Sequence, residues 1–405
     1  MALPIDESKS GAKPGPQVRT GAAARRNEVA QPQSAQQFFA RPAARLEVSE
    51  LRGLHRLEAL GGEWSELLEG IPHEVFSRPE LVSAWIRSFA GSGAVRTLVA
   101  RDAQGKLAAV LPLVEARASE LGGVRALCAP GNVHSCRFDF AARDPSAAAG
   151  AFMAHLGRDS SWQVLRLTNV AEGAACWNLL FAAEAGNHPI GTWTANRSRH
   201  LTLPATVEEL RTRLDPTLLA NLRRRRRRLA ESGEVSLEHF TGGADLDQRL
   251  DELFRVEASG WKGREGTAIT LDVKTRAFYR DLCHAASRGG YLSLHFLRLN
   301  GAAIAADLAL AYRGRFLSLK IAYDEALARF GPGQLLTEDM LRHAITQGLT
   351  EYDLLGDDAP YKAAWADQVR PHHWLYIFAR TTTGRALCSA KFKFAPMVKR
   401  LLARV

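Results

Sequence analysis

Three consecutive strand-like runs in the C-terminal half constrain the fold of this chain most strongly. The runs occupy residues 291–299, 302–312 and 315–323. Each is rich in apolar, β-branched or aromatic side chains, and the dipeptides Asn300-Gly301 and Arg313-Gly314 separate them. Asn-Gly between apolar runs is the strongest short-range hairpin signal. The sequence therefore predicts a three-stranded antiparallel meander.

A glycine-rich loop follows this meander directly. Gly331, Pro332 and Gly333 precede a helix predicted at 333–347, and residues 351–356 then predict another strand. Glycine permits close backbone approach, and a helix N-terminus presents free N–H groups and the positive end of the helix dipole. This order predicts a pyrophosphate site. The simpler interpretation is an ordinary strand–loop–helix connection.

The N-terminal half repeats part of the same pattern. Residues 98–115 and 294–311 both read as strand, glycine-containing turn and strand, and a helix-like segment precedes each, at 79–90 and 246–260. Further strands alternate with helices in the first half, which is typical of a mixed α/β fold. We therefore expect two similar units that divide near 200–215.

The loop 129–135, APGNVHS, is the first half's nearest counterpart to the glycine loop. Strand-like CRFDF at 136–140 follows it, so no helix N-terminus is predicted there. A purely structural role is the simpler interpretation. Alternatively, His134, Arg137 and Asp139 would contact a substrate if this loop faces a cleft between the two units.

Five sequence stretches resemble those of known acyltransferases. They are FSRPELVSAWIRSF (76–89), NLRRRRRRLAESG (221–233), GWKGREGTA (260–268), KIAYDEALARFGPGQLL (320–336) and YKAAW (361–365). Together with the order of elements, they make the chain resemble GNAT acyltransferases over roughly 50–400. More narrowly, it resembles the CelD-like family associated with bacterial cellulose and exopolysaccharide genes. Its layout is similar to that of the Fem-type peptidoglycan transferases.

The resemblance implies a fold class of mixed α/β (α+β) type with tandem GNAT-like domains. Each domain would have a mostly antiparallel central sheet flanked by helices. Residues 46–203 would form a degenerate GNAT-like domain, and 204–405 would form the catalytic one. Residues 1–45 are rich in Ala, Gln, Pro, Gly and Arg without apolar periodicity, which predicts a disordered N-terminal tail.

The resemblance also implies a co-substrate, acetyl-CoA or another acyl-CoA, and an unknown amine or hydroxyl acceptor. The residues expected to bind the acyl-CoA are Arg329, Gly331, Gly333, Gln334 and Leu335. The usual GNAT loop reads Q/R-x-x-G-x-G/A, whereas here the spacing from Arg329 to the first glycine is one residue shorter. Direct acyl transfer needs no covalent nucleophile, and no Ser-His-Asp or Cys-His signature is visible.

Four residues near strand ends are candidates for proton transfer and charge stabilisation. They are Asp307, Tyr323, Asp324 and Lys362. Tyr323 would protonate the departing thiolate, and Asp324 would orient an acceptor amine. Asp307 would act as a base or pair with Lys320 on the next strand. Lys362 would contact the acyl carbonyl, the substrate or a phosphate, or would be an ordinary surface lysine.

The acceptor side of the site is predicted from a second group of residues. Glu257, Trp261, Lys262 and Lys320 are the candidates for substrate binding. The sequence predicts no metal site: Asp357 and Asp358 are adjacent acids without further ligands at a metal-binding spacing.

A run of six arginines, 223–228, lies in a predicted helix. Asp215-Pro216 is a helix-start signal, and the helix is expected to end near Ser232. Leucines form one stripe, and Arg225 or Arg226 falls in its gap. The alternatives for this run are a solvated face, an anionic acceptor, CoA phosphates or nucleic acid. The absence of interleaved aromatic residues weakens a base-stacking role.

Composition sets broader limits. The net charge of +10 suits a polyphosphorylated ligand, nucleic acid or an anionic surface without choosing among them. Five scattered cysteines without a CxxC pair indicate neither a zinc knuckle nor a disulfide framework, and a reducing cytoplasm is expected. No apolar run approaches the length of a membrane span.

The function predicted is acyl-CoA-dependent N- or O-acyl transfer, linked to polysaccharide or cell-envelope biosynthesis. Two alternatives remain. The first is a Fem-like transferase that uses aminoacyl-tRNA, which would suit the arginine run. The second is a non-catalytic scaffold or binding protein for polysaccharide assembly.

Overall fold

The computed structural model describes residues 46–260, 266 and 268–395. Strand bounds are β1 Glu47–Arg52, β2 Val95–Arg101, β3 Leu107–Ala118, β4 Val124–Cys128, β5 Ala141–Ala142, β6 Val164–Ala171, β7 Ile190–Thr202, β8 Val235–Phe240, β9 Leu292–Leu299, β10 Ala302–Tyr312, β11 Arg315–Tyr323, β12 Glu351–Asp353 and β13 Gln368–Phe378. The α-helices span Leu54–Ala59, Gly61–Glu69, Pro79–Phe89, Pro145–Leu156, Cys176–Ala185, Val207–Arg213, Pro216–Ala230, Leu246–Ala258, Val273–Arg288, Pro332–Thr346, Pro360–Ala363 and Thr382–Ser389.

One continuous sheet runs through the described part of the chain. Its order is β1-β2-β3-β4-β6-β13-β7-β12-β11-β10-β9-β8, with β5 paired to β3. From either edge, three antiparallel pairs are followed by one parallel pair, β4 with β6 or β12 with β11. The remaining central pairs are antiparallel. The mixed α/β fold with a mostly antiparallel sheet is as the sequence predicts.

The two halves of the chain exchange strands at the middle of this sheet. β13, from the C-terminal end, lies between β6 and β7, and β7 lies between β13 and β12. Trp193 of β7 is opposite Trp374 of β13, and their rings stack at 5.6 Å between centroids. Each half of the sheet is therefore completed by a strand from the other half.

The predicted meander and turns are confirmed. β10 and β11 have the predicted bounds, and β9 begins at Leu292, one residue later than expected. Asn300 and Gly301 have φ values of 51° and 81°. Positive φ at both central residues matches the right-handed twist of the flanking strands, and Asn and Gly adopt it at low cost.

One local prediction is wrong. Residues 136–140 were expected to form a strand, but they do not pair into the sheet, and only the short β5 follows them. Asp139 in this segment accepts hydrogen bonds from the backbone N–H groups of Ala175 and Cys176, both at 2.9 Å. The segment is held by a helix N-terminus instead of a strand ladder.

The core consists of three buried apolar clusters. One packs against the first half of the sheet, one against the second half, and one contains residues from both. In the shared cluster, Phe89 of the first half lies 5.4 Å from Phe278 of the second half, between ring centroids. Apolar burial therefore joins the two halves in addition to the continuous sheet.

Candidate functional site

The neighbouring strands β11 and β12 are paired over only a short length near the centre of the sheet. Their parallel ladder has three pairs, from Arg315 with Glu351 to Leu317 with Asp353. β12 then ends, while β11 continues to Tyr323. The end of β11 is thus left without β12 beside it, which opens a gap in the sheet.

A cleft of about 450 Å³ lies at this gap. Its lining comes from the end of β11, the glycine loop and the segment after β12, together with one residue from the six-arginine run. The lining residues are Arg225, Glu257, Gly260, Ile321, Ala322, Tyr323, Glu325, Ala328, Gly331, Gly333, Gln334, Thr337, Tyr361 and Trp365. Five of the predicted site residues meet here: Glu257, Tyr323, Gly331, Gly333 and Gln334.

The glycine loop turns the chain from β11 into the helix Pro332–Thr346, which we call the cleft helix. The Asp324 carboxylate accepts from the Ala326 N–H at 3.0 Å and starts a 3-10 turn that ends at Gly331. Gly331 has φ 59°, in the left-handed region that favours glycine, and Pro332 occupies the first helical turn. The N-terminus of the cleft helix therefore meets the cleft.

A side chain on either loop glycine would require a neighbouring side chain to shift. A Cβ on Gly331 would lie 2.5 Å from a guanidinium nitrogen of Arg225, and one on Gly333 would lie 3.0 Å from the Tyr323 ring. The backbone is therefore closely approached by Arg225 on one side and by Tyr323 on the other. Helix N–H groups beside an arginine form an arrangement suited to a phosphate.

The six-arginine run lies in the helix Pro216–Ala230, which we call the arginine helix. Asp215 caps it, accepting from the Thr217 N–H at 2.6 Å. Arg225 donates to the side-chain oxygen of Gln334 and lines the cleft. Arg226 instead forms ion pairs at 2.9 Å with Glu338 and Asp339 of the cleft helix.

Sequence reasoning placed Arg225 or Arg226 in the gap of the leucine stripe but did not single out Arg225 as a site residue. The signal was that gap: a residue there must face the partner on which the helix packs. The structure divides the run accordingly, because Arg225 reaches the cleft while Arg223 and Arg224 are exposed.

Two carboxylates line the cleft. Glu257 is 1% exposed and accepts from the backbone N–H of Ile269 at 2.9 Å. Glu325 begins the 3-10 turn after Asp324. Gly260 follows close behind Glu257, and its Cβ position would be 3.5 Å from the Tyr323 carbonyl oxygen. Acidic groups therefore stand beside the end of β11.

Asp307 lies behind the cleft and does not line it. It is fully buried on β10, and its carboxylate accepts from the Ser318 hydroxyl at 3.0 Å. Burial and, to a smaller extent, the charge of Asp307 raise the pKa of Tyr361, whose side chain does line the cleft. Tyr361 and Trp365 belong to the YKAAW stretch, where the sequence analysis singled out only Lys362.

Lys362 also lies behind the cleft wall. The residue is 7% exposed, and its ammonium donates to the carbonyl oxygens of Leu355 at 2.5 Å and Asp357 at 2.9 Å. Burial lowers its pKa, while nearby acidic groups, Asp353 among them, oppose that shift. The lysine thus ties together the segment that follows β12, and it is not the exposed surface lysine of the simpler interpretation.

Among the residues that the structure describes, the other predicted site residues do not line the cleft. Lys320 lies over the Tyr279 ring, 5.5 Å from the centroid, and its cross-strand register partner on β10 is Leu308, the neighbour of Asp307. Arg329 lies over the Phe330 ring at 4.7 Å, and Leu335 is fully buried in the core. Trp261 and Lys262 lie outside the described residues.

The loop of the first half is held by internal contacts. Arg137 pairs with Glu74 at 3.0 Å and with Asp353, and His134 lies 3.1 Å from the Tyr279 hydroxyl. These residues line or support a small hollow near Phe278 and not the cleft beside Tyr323. These contacts are of the kind expected if the loop has a structural role.

Part of the chain matches a known protein family. Residues 217–363 match the family described as an acetyltransferase (GNAT) domain. This match covers the arginine helix, the meander, the glycine loop and Lys362. The C-terminal part of the chain therefore contains a GNAT acetyltransferase domain, and the protein is an acyltransferase.

Solved structures share the fold at low sequence identity. FemX has a TM-score of 0.54 at 12% identity, covering 78% of this chain and 96% of FemX. The C-terminal domain of a putative lysylphosphatidylglycerol synthetase from Agrobacterium fabrum has a TM-score of 0.50 at 12% identity, covering 82% of this chain and 96% of that one. Sequence comparison with curated proteins gave no match.

No helix in the described ranges combines the length and the apolar character needed to cross a bilayer.

Proposed function

We propose that this protein transfers an acyl group directly from an acyl-CoA, such as acetyl-CoA, to an amine or hydroxyl acceptor in the cleft beside Tyr323. One observation carries the proposal. The glycine-flanked N-terminus of the cleft helix and the Arg225 guanidinium line the same cleft, beside the part of β11 that extends beyond the end of β12. This arrangement supports an anion site next to an opening in the sheet through which an extended acyl-pantetheine arm would enter.

The donor would bind from the glycine loop inward. Its pyrophosphate would accept hydrogen bonds from the Gly333 N–H at the N-terminus of the cleft helix, from the Gln334 side-chain amide and from Arg225. Arg329, exposed at the end of the 3-10 turn, would meet the outer phosphates, while Leu335 would support the loop from the core. The pantetheine arm would follow β11 along Ile321.

The chemistry would be a single displacement. The acceptor nitrogen or oxygen attacks the thioester carbonyl, a new C–N or C–O bond forms, and the C–S bond breaks. Glu257 would take the acceptor proton, because it is a buried carboxylate in the cleft. The Tyr323 hydroxyl would give a proton to the departing thiolate, and Asp324 would orient the acceptor.

Asp307 and Lys362 would act through neighbouring residues and not by contact with the reacting atoms. Asp307 would help to raise the pKa of Tyr361, and Lys362 would keep the segment 355–361 in place over the opening. If that segment moves on binding, the Lys362 ammonium would reach the thioester oxygen. Lys320, with Trp261 and Lys262, would shape the acceptor side.

The domain assignment is part of the same proposal. Residues 204–405 would form the catalytic unit, and 46–203 would form a degenerate GNAT-like unit. The order of antiparallel and parallel strand pairs is the same from either edge of the sheet, which supports a duplication. The resemblance to CelD-like proteins supports a role in polysaccharide or cell-envelope synthesis in the cytoplasm.

A second candidate is transfer from aminoacyl-tRNA. The similarity of the fold to FemX and the exposed arginines of the arginine helix favour it. Phosphate contacts of such a helix would make binding strongly salt-dependent.

Isothermal titration with acetyl-CoA, CoA and an aminoacyl-tRNA tests the two candidates. We expect acetyl-CoA and CoA to bind at one site per chain, and mass spectrometry of protein purified without added ligand to show a co-purifying acyl-CoA. Binding of aminoacyl-tRNA with no binding of either CoA compound would overturn the main proposal in favour of the second. Absence of binding by all three would contradict both.

A further inference from the structure

Three histidines from distant parts of the sequence meet at the edge of the sheet. His239 lies on the edge strand β8, His295 is its direct cross-strand partner on β9, and His343 lies on the cleft helix. Their ring centroids are 4.6, 4.2 and 5.0 Å apart. One ring nitrogen from each lies within 4.8 Å of the others.

We propose that His239, His295 and His343 bind a divalent transition metal ion, with Zn²⁺ as its simplest representative. Imidazole nitrogen is a preferred ligand of Zn²⁺, Ni²⁺ and Cu²⁺. Three histidines with an open fourth position are a known zinc donor set. His239 is exposed and His343 half-buried, so an ion has a path to the cluster and a water molecule can complete its coordination.

The geometry needs only a small closure. Tetrahedral Zn²⁺ with Zn–N distances of roughly 2.0–2.1 Å places its ligand atoms about 3.3 Å apart. The observed spread of 4.8 Å requires side-chain movements of about 1 Å, without displacement of a strand or helix. Changes of χ1 and χ2 within one rotamer well supply shifts of this size.

A serine fixes two of the three rings. The Ser293 hydroxyl oxygen lies 3.0 Å from Nε2 of His239 and 2.8 Å from Nε2 of His295. Outer hydrogen bonds of this kind orient metal-binding imidazoles.

The site is distinct from the acyl-transfer cleft. His343 is six residues beyond Thr337, which lines the cleft, and six residues extend about 9 Å along a helix. A metal bound there would clamp the cleft helix to β8 and β9. Its expected effect is therefore on the stability of the fold and not on the chemistry of the thioester.

Metal-free protein prepared with a chelator provides the test. Titration with Zn²⁺ should show one ion bound per chain and a raised melting temperature, and Co²⁺ should give the visible absorption of a tetrahedral nitrogen-ligated centre. His239→Ala and His343→Ala should each lose this stoichiometric binding and the rise in melting temperature. His55→Ala, on an exposed helix of the first half, should behave as the wild type.

Two outcomes would overturn the proposal. One is the absence of stoichiometric binding by the folded wild-type protein. The other is unchanged binding in both His239→Ala and His343→Ala, which would place the ion elsewhere. His239 is exposed, so its substitution keeps the test valid even if a variant at the buried His295 fails to fold. Acetyl-CoA titration of the same samples reports separately on the acyl-CoA proposal.

Discussion

Arg137, in the loop after β4, forms a buried ion pair with Asp353, the last residue of β12, and so joins the two halves of the chain. The Arg137 side chain is 3% exposed and the Asp353 side chain is fully buried. Arg137 also pairs with Glu74, and Arg370 pairs with Asp353 at 2.6 Å. These contacts hold β12 at the point where it ends and the sheet opens.

Removing one member of this pair should destabilise the protein strongly. Arg137→Met leaves Asp353 and Glu74 with less compensation in a buried site, which typically costs about 3–5 kcal/mol. Chemical denaturation would measure the change in the free energy of unfolding. Arg101→Met, which removes the exposed pair with Glu63, is the matched control and should cost under about 1 kcal/mol. Equal costs for the two variants would contradict this prediction.

The same network predicts a loss of stability in acid. Nearby arginines, Arg137 first among them, hold the pKa values of Glu74 and Asp353 below their ordinary range despite burial. Carboxyls with a lowered folded-state pKa stabilise the fold above the unfolded value of about 4, and this contribution disappears as pH falls through the folded value. The stability advantage of the wild type over Asp353→Asn, measured by denaturation, should therefore shrink below about pH 4. An advantage that is constant from pH 7 to pH 3 would show that the carboxylate is not responsible.

Gly333→Val should weaken acyl-CoA binding while the fold is retained. The added side chain meets the Tyr323 ring and fills the entrance beside the helix N-terminus. We expect at least a tenfold loss of affinity, or about 1.4 kcal/mol, by isothermal titration. Gly150→Val, at an exposed helical glycine with open space around its Cβ position, is the control. Unchanged affinity in a folded Gly333→Val protein would refute the assignment of the loop.

Arg225→Ala should weaken acyl-CoA binding where Arg223→Ala does not. Arg225 lines the cleft, whereas Arg223 is exposed on the same helix. A charged hydrogen bond to phosphate contributes roughly 1.5–3 kcal/mol, so the expected loss is about 10- to 100-fold. Dissociation constants for acetyl-CoA and for dephospho-CoA would measure it. Equal effects of the two substitutions would indicate a general charge effect and not a specific contact.

Lys362→Met should reduce turnover more than donor affinity. The ammonium ties two carbonyl groups behind the cleft wall, and the loss of correct positioning or of charge near the thioester oxygen commonly costs on the order of 10²- to 10³-fold in rate. Steady-state kinetics with a titration of acetyl-CoA would separate kcat from affinity. Lys106→Met, at an exposed turn, is the control. Unaltered kcat would exclude both roles for Lys362.

Local chemistry in the sequence determined much of the fold. The Asn300-Gly301 turn, the Asp215 cap and the Gly331-Pro332 entry into a helix each depend on neighbours a few residues away. Such features are readable from spacing alone, because the backbone conformations that they require are available to few residue types. The meander, the glycine loop and the mixed α/β class followed from them, and the GNAT domain match is consistent with that prediction.

Only the tertiary structure decided which distant residues meet. The exchange of β7 and β13, the Arg137–Asp353 pair and the cluster of His239, His295 and His343 join segments with no shared local pattern. It also decided that Arg225 faces the cleft while Lys362 points into backbone carbonyls. Side-chain direction and partner choice depend on packing across the whole sheet, and a local sequence pattern does not contain those long-range contacts.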